Sequence, residues 1–252
     1  MRKVFVIGFG SKARQGKDTS AEFIKELRKD VYIIHFADAV KEECSNPKKE
    51  FPLISETTVN GIPMYLLLDS GNNFQSFYKE QLPKLQKIFT DRGINQYFAM
   101  DKKDGDILQF WGTDFRRKHV DGEYWVKKVD EKIQDIITII ANTEETEPVY
   151  ILVPDTRFKN ECTYIKSWNA TKIAKGFYVN VRRYNEDGTR YVSNDRDPNH
   201  PSEIELDNVE PDYYLDAFNL TELKQKVETL LMKIELQQLI EDVAKFPAVY
   251  HD

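Results

Sequence analysis

The 252-residue sequence is poor in cysteine, with two, and in histidine, with four. Cys44 and Cys162 lie far apart without metal-ligand spacing. That excludes a disulfide scaffold and fits two free thiols in a reducing cytosol. His35, His119, His200 and His251 show no metal-binding pattern, and no Ser/His/Asp or Cys/His arrangement can be argued, so nucleophilic catalysis is not expected. No apolar run approaches the roughly 20 residues of a membrane span, and the opening MRKVFVIGFG carries too short an apolar run for a signal peptide. A basic excess is missing as well. With 31% charged residues and a net charge of −6, long-range attraction to polymeric nucleic acid or an anionic membrane is not implied. Any anionic ligand must therefore be held by a local basic cluster. No internal repeat is visible, and the length suits one large α/β domain with insertions.

What is present begins with a short, continuous β-branched and aromatic run over residues 3 to 9, the mark of a strand buried on both faces of a parallel sheet. A loop follows, then a helix from residue 17 to 29 with Ala21, Phe23, Ile24 and Leu27 on one face, then a strand from Val31 to Phe36. This is a βαβ unit. A short helix is expected over Ala37 to Cys44. Asn-Pro, Phe-Pro, Asn-Gly and Ile-Pro pairs then break any regular pattern through residue 63. Phe74 to Phe89, Asp106 to Lys118 and Tyr124 to Ala141 read as helices, and Val149 to Val153 as another buried strand. A helix over 157 to 167 leads to a strand near Gly176 to Arg182. A polar, turn-rich stretch follows from Tyr184 to Pro201, then a short strand near Tyr213 to Leu215 and a long helix from Thr221 to about Ala244. The expected fold class is α/β, a P-loop NTPase-type three-layer fold with a parallel sheet flanked by helices. Residues 45–120 are expected to form an inserted, mostly helical lobe, and residues 183–203 a lid-like loop, within one domain spanning 1–252.

Between the first strand and the first helix stands Gly10-Ser-Lys-Ala-Arg-Gln-Gly-Lys-Asp-Thr-Ser20, in the context a Walker A loop requires. Successive backbone N–H groups of Ser11, Lys12, Ala13, Arg14, Gln15 and Gly16 can wrap a triphosphate there. The helix N-terminus adds positive potential, and Lys17 can reach the β- and γ-phosphates. Ser11 stands where the first glycine of the motif usually does, and Asp18 where a Ser or Thr usually meets Mg²⁺. Asp18 is a hard oxygen ligand for the metal, directly or through water, with the Thr19 or Ser20 hydroxyl on a phosphate. The structural alternative is a Gly/Lys-rich helix start in which Asp18 only favours the helix dipole.

This loop, with its Lys17-Asp18-Thr19 ending, resembles the variant P-loop of bacteriophage deoxynucleoside monophosphate kinases. Four more segments resemble that family in the same order: Phe36-Ala-Asp-Ala-Val-Lys41; Leu108-Gln-Phe-Trp-Gly-Thr-Asp-Phe-Arg-Arg117 with Tyr124-Trp-Val126; Asp155-Thr-Arg-Phe-Lys-Asn-Glu161; and His200-Pro-Ser-Glu203. Together they span most of the chain; Ser45 to Lys103 matches nothing in the family. The resemblance implies Mg²⁺-dependent transfer of a phosphoryl group from ATP to a deoxynucleoside monophosphate, in dNTP biosynthesis. It also makes Asp38 and Lys41 acceptor-side contacts; by residue type alone they fit a solvated helix start equally well.

Gln109, Gly112, Thr113 and Arg117 fall on one face of an α-helical reading, with Leu108 and Trp111 toward a core. A polar stripe with one glycine suits a monophosphate and its sugar, and the glycine suggests close approach of another group. Trp125 either stacks a base or fills the core. Asp155, directly after an apolar strand, takes the place of a Walker B-like carboxylate. Arg157 is expected on a phosphate, oriented by Glu161; the alternative is an Asp155 N-cap with a surface Arg157–Glu161 pair. Arg182, Arg183 and Arg190 open a stretch suited to a lid that closes cations over phosphates, or to a charged surface loop. Lys17, Asp155 and Arg157 are thus the expected catalytic groups, and Asp18 and Thr19 the metal site. Expected partners are ATP, a dNMP and a second copy of the chain in a homodimer, with no nucleic acid polymer and no membrane, in the cytoplasm of a host cell. Two rivals stand beside this reading: a small-molecule kinase of the phosphomevalonate type, whose loop also ends Gly-Lys-Asp, and a nucleotide-hydrolysing switch or assembly ATPase.

Overall fold

The computed structural model describes residues 2–45, 54–59, 62–67, 108–193 and 199–244. In chain order these form β1 (Val4–Gly10), α1 (Lys17–Leu27), β2 (Val31–Ile33), α2 (Phe36–Ser45), β3 (Ile54–Val59), β4 (Ile62–Leu67), a π-helix (Phe110–Val120), α3 (Tyr124–Ala141), β5 (Val149–Thr156), α4 (Lys159–Ser167), a 3-10 turn (Trp168–Ala170), β6 (Ala174–Arg183), α5 (Pro201–Ile204), β7 (Tyr213–Ala217) and α6 (Leu220–Ala244). Two compact units emerge, one of Met1–Ile34 with Ile137–Asp252 and one of His35–Ile136. The expected lobe at 45–120 falls inside the second.

The first unit is built on a five-stranded sheet in the order β2-β5-β1-β6-β7, every pairing parallel. β1 lies at its centre and is buried along its whole length, as a continuous apolar run requires when both faces of a parallel sheet are covered. The connection from β1 leads outward to β2, whereas that from β5 passes over β1 to β6. Right-handed crossovers running in opposite directions place their helices on opposite faces. Phe5, Ile7 and Phe9 accordingly pack with Ala21 and Ile24 of α1 and with Leu223, Val227, Leu230, Leu231 and Ile234 of α6. On the other face Ile165 of α4 closes against Gly8 and Gly176. This is a three-layer α/β fold, with the β1–α1 loop at the carboxyl end of the central strand, where neighbouring connections diverge and leave a crevice.

The second unit departs from its sequence reading in two places. Residues 54–67, read as irregular, contain the antiparallel pair β3 and β4, in register from Ile54↔Leu67 to Val59↔Ile62. The two residues between them are Asn60 and Gly61, a hairpin dipeptide that was read only as a breaker. The helix expected over 106–118 becomes π-helical from Phe110, shown at its end by the Asp121 N–H donating to the Arg116 carbonyl at 2.9 Å, an i→i+5 step. The expected helix at Phe74 to Phe89 lies outside the described residues.

The polar stretch expected as a loop also carries order. Tyr184 bridges to Arg190, and α5 starts from His200, whose side chain accepts the Ser202 N–H, with Pro201 in the first turn. No helix among the described residues is long and apolar enough to cross a membrane.

The tightest packing constraint falls on Gly176, where an added Cβ would lie 1.7 Å from the Ile165 carbonyl oxygen. The clash is with backbone, so relief requires α4 to move away from the sheet. Gly176→Ala is expected to destabilise the protein by about 3 kcal/mol or more in urea titrations; a loss under about 1 kcal/mol would refute the close approach of α4 and β6.

Candidate phosphate-binding site

The loop from Ser11 to Gly16 leaves β1 and enters α1 at Lys17. Gly16 has φ 102°, a left-handed conformation that an L side chain rarely adopts, and Arg14 has φ 56°. A left-handed non-glycine residue costs about 1–2 kcal/mol, and the turn it allows curls the backbone over the helix start. Lys17 is 5% exposed. Its ammonium donates to the carbonyls of Ser11 at 3.0 Å and Lys12 at 2.6 Å, folding the side chain back across the loop. Gln15 is buried and turned away: its amide donates to the Tyr191 carbonyl and accepts the Arg183 N–H, each at 2.8 Å. Gln15 therefore fastens the loop to β6 and the segment after it. Ser20, fully buried, donates its hydroxyl to the Gly16 carbonyl at 2.9 Å. Of the two hydroxyls expected near a phosphate, Ser20 is committed to the helix backbone, and Thr19 is left to line the pocket.

On one side of the loop, Ser11, Lys12, Arg157, Arg182, Arg190 and Glu203 line a small, open cleft. Arg190, from the expected lid, donates to the Ser11 hydroxyl at 3.2 Å. Arg182 forms a two-pronged pair with Asp216 at 2.5 Å and lies over the Tyr214 ring; this hydrogen bonding raises the Arg182 pKa further. Arg157 donates to the Ser202 carbonyl at 3.2 Å and pairs with Glu203, which also accepts the Ala13 N–H at 2.8 Å. Lys12 pairs with Asp207 at 3.3 Å. Arg182, Arg157 and Lys12 are thus already oriented by carboxylates, and Arg190 by the Ser11 hydroxyl.

Two expectations around Arg157 need correction. Glu161 is 1% exposed and accepts the backbone N–H groups of Arg157, at 2.6 Å, and of Phe158, at 3.1 Å. A glutamate at the third position of α4 reaches back to the helix entrance, the acidic half of a capping box, so Glu161 holds the Arg157 backbone, and neither the expected orientation of the guanidinium by Glu161 nor the alternative surface pair is what its carboxylate makes. The N-cap position is Phe158, not Asp155. Asp155 stands half-buried near the end of β5, beside the register pair Gly10↔Thr156; β5 and β1 are neighbours, which brings it to the level of the loop.

On the other side, Arg14, Gly16, Asp18, Thr19, Arg183 and the segment Ala217–Leu220 line a second pocket of about 340 Å³. Sequence reading missed this segment because its residues, Ala-Phe-Asn-Leu, carry no charge or motif. They reach the loop only because β7 and β6 pair in register, with Ala217 opposite Arg183. Glu203 and Asp216 were missed as site residues for a related reason: each is one carboxylate among many until folding sets it against an arginine.

The remaining candidates belong to the second unit. Asp38 pairs with Lys41 at 3.2 Å and His35 at 3.4 Å. Desolvation opposes the charged Asp38, but the Lys41 hydrogen bond and the nearby cations keep its pKa below the usual carboxylate value. Among the described residues, the buried amide nitrogen of Gln109 meets no hydrogen-bond partner, a state that costs about 1–3 kcal/mol unless another group accepts from it. Thr113 is half-buried. Arg117 donates to the Gly122 carbonyl at 3.4 Å. The wider π-turn breaks the α-helical stripe that grouped these residues. Trp125 is 1% exposed and donates to the Gly112 carbonyl at 2.8 Å, so it fills the core and is not open to stack a base. At Gly112 an added Cβ would meet Val40 at an ordinary 3.5 Å; no close approach requires the glycine.

Arg116, next to Arg117 in the π-helix, is buried with Glu43. The Glu43 carboxylate accepts from Trp111 at 2.9 Å, Arg116 at 2.8 Å and Tyr124 at 2.5 Å. Arg116 also lies 4.3 Å from the Tyr124 ring centroid. The Trp111, Arg116 and Tyr124 positions of the motif thus share one structural partner on α2.

No family model matches the chain, and no curated protein matches it. Among solved structures, the chain is similar to the crystal structure of TT1252 from Thermus thermophilus at 12% identity and a TM-score of 0.38, covering 92% of this chain and 98% of that one. A likeness this slight carries no argument about activity.

Glu43 generates a stability test. Glu43→Ala leaves the Arg116 guanidinium buried without its carboxylate and is expected to cost about 3–5 kcal/mol, whereas Glu43→Leu combined with Arg116→Leu is expected to restore much of that loss. Urea unfolding read by fluorescence in a Trp168→Phe background reports this unit through Trp111 and Trp125. Equal losses in the single and double variants would show that the pair is not the stabilising feature.

Proposed function

We propose that this protein is a P-loop phosphotransferase that moves the γ-phosphoryl group of ATP onto a deoxynucleoside monophosphate. The observation that carries the reading is the arrangement at the end of β1: a left-handed Gly16, a buried Lys17 and three arginines, Arg157, Arg182 and Arg190, collected beside one loop of an acidic protein. Guanidiniums held in place at the edge of an open cleft suit an anionic ligand such as a phosphate.

In this reading the donor phosphates enter the loop and take over the hydrogen bonds that Lys17 now makes to Ser11 and Lys12. The nucleoside of ATP takes the pocket between Arg14 and Ala217–Leu220. Asp18 and Thr19 line that pocket within two residues of Lys17. Their hard oxygens fit a Mg²⁺ ion shared between a single carboxylate and the nucleotide's phosphates, with no all-protein cage. When bound, the ion would neutralise charge on the β- and γ-phosphate oxygens.

Transfer itself needs an acceptor phosphate oxygen in line with the bond to the leaving ADP oxygen. Lys17 and Arg157 offset charge on the transferred group. Asp155, at the level of the loop, is the carboxylate proposed to order the donor side. Asp38, Lys41, Gln109, Thr113 and Arg117 are retained as acceptor candidates, and the unsatisfied Gln109 amide is the most specific support among them. Trp125 is dropped from that set.

Lys17→Ala is expected to lower phosphoryl transfer by about 10²-fold or more while thermal unfolding stays near that of the parent. The assay is ADP release against a panel of the four dNMPs, the ribonucleotides, mevalonate phosphate and water. A folded Lys17→Ala protein that retains full rate would remove the phosphate-loop assignment. Turnover only with mevalonate phosphate, or only with water, would instead favour the other kinase or the hydrolase. Asp18→Asn is expected to raise the Mg²⁺ concentration for half-maximal rate by roughly tenfold with a smaller change in nucleotide affinity; an unchanged Mg²⁺ titration would assign Asp18 to the helix dipole alone.

A further inference from the structure

The segment His200-Pro-Ser-Glu203 has a construction that suggests a purpose beyond starting a one-turn helix. His200 accepts the Ser202 N–H at 3.2 Å, and its Nδ1 lies 2.8 Å from the Ser202 hydroxyl. Pro201 sets the first turn. The Glu203 N–H donates to the His200 carbonyl at 2.8 Å. These contacts fix the backbone that presents Glu203, which is 7% exposed. Its two oxygens then divide their work. Oε2 accepts the Ala13 N–H of the phosphate loop at 2.8 Å, and Oε1 pairs with the Arg157 guanidinium. The Ser202 carbonyl beside it accepts from the same guanidinium nitrogen at 3.2 Å.

Resting on the phosphotransferase reading above, we infer that Glu203 is a positioning residue for phosphoryl transfer: its carboxylate holds the Arg157 guanidinium against the phosphate loop by bridging it to the Ala13 N–H.

The physical case rests on what each partner would do alone. Arg157 follows β5 on a long, rotatable side chain, and fixing such a chain costs conformational entropy. A guanidinium is useful to a transferring phosphoryl group only if it is already oriented when charge develops. Glu203 supplies that orientation from a buried site. Its negative charge also works against a second anion nearby, so the same carboxylate should weaken donor binding slightly while raising the rate. Glutamine is nearly the same shape, but its amide offers an acceptor to only one of the two donors and presents an N–H₂ to the other. Glu203→Gln therefore breaks the bridge with little change in volume.

The test is a double-mutant cycle on Glu203→Gln and Arg157→Ala, with kcat and donor KM measured separately, using dAMP, dCMP, dGMP and dTMP as acceptors and, in parallel, water. Glu203→Gln is expected to lower kcat about tenfold or more with donor KM unchanged or lower. In the Arg157→Ala background the same substitution is expected to cost less than about twofold, because the residue acts through the arginine. Donor affinity, from calorimetric titration of Mg·ADP, should be equal or tighter in Glu203→Gln. If the parent enzyme turns over and Glu203→Gln costs as much without Arg157 as with it, the positioning role is overturned and the phosphotransferase reading stands. A loss confined to KM overturns it likewise. If the parent turns over water but no dNMP, the acceptor assignment fails while the cycle on hydrolysis still decides Glu203. A parent inert with every acceptor overturns both.

Discussion

A loop built to bind an anion must be held in shape by the protein's own groups when the anion is absent. Free backbone N–H groups and a buried ammonium at the end of β1 would otherwise carry a heavy desolvation cost. Here Lys17 donates to loop carbonyls, Ala13 donates to Glu203, and Gln15 ties the loop to Tyr191 and Arg183. The rest of the first unit can be understood as the support these contacts need. β1 is central because its neighbours β5 and β6 bring Arg157 and Arg183 alongside. The turn-rich segment after β6 is anchored because Tyr191, Arg190 and Glu203 each return to the loop.

The arginines illustrate why an acidic protein can still gather cations. Three of them are paired with carboxylates: Arg157 with Glu203, Arg182 with Asp216 and, in the second unit, Arg116 with Glu43. The consequences differ with burial and surroundings. The Glu43–Arg116 pair is sealed among Trp111 and Tyr124 and acts as a packing unit, whose removal leaves an unpaired charge. Arg157 and Arg182 instead line an open cleft, where a pre-oriented guanidinium can meet a ligand. Burial also bears on the thiol. Cys162 is 2% exposed, and desolvation pushes its pKa well up, which leaves it a core residue with no nucleophilic role.

Much of the order of elements was legible in the sequence because burial writes itself as periodicity. The apolar run at 3–9 marked β1, Tyr124 to Ala141 gave α3 at its observed bounds, and Lys17 and Gly16 stood at the one strand-to-helix junction where a phosphate loop fits. The antiparallel pair Ile54–Val59 and Ile62–Leu67 was missed, since short strands with mixed composition give little alternation. The π-helix could not be read at all: an i→i+5 ladder has no residue signature, and treating it as 3.6-periodic grouped Gln109, Gly112, Thr113 and Arg117 on one face that the wider turn does not keep.

What the sequence determined by itself was local: which segments are strands or helices, where the left-handed glycine and the lysine sit, and that any anion site must be a small cluster in an acidic chain. Tertiary structure decided which charges meet. Arg157 and Glu161 are four apart and looked like partners, yet Glu161 spends its carboxylate on backbone N–H groups while Arg157 finds Glu203. Trp125 looked able to stack a base and is in the core. Sheet order sets these outcomes, because parallel pairing brings together strand ends that are far apart along the chain, and a side chain's partner is fixed by the space it reaches after pairing, a distance that sequence separation does not encode.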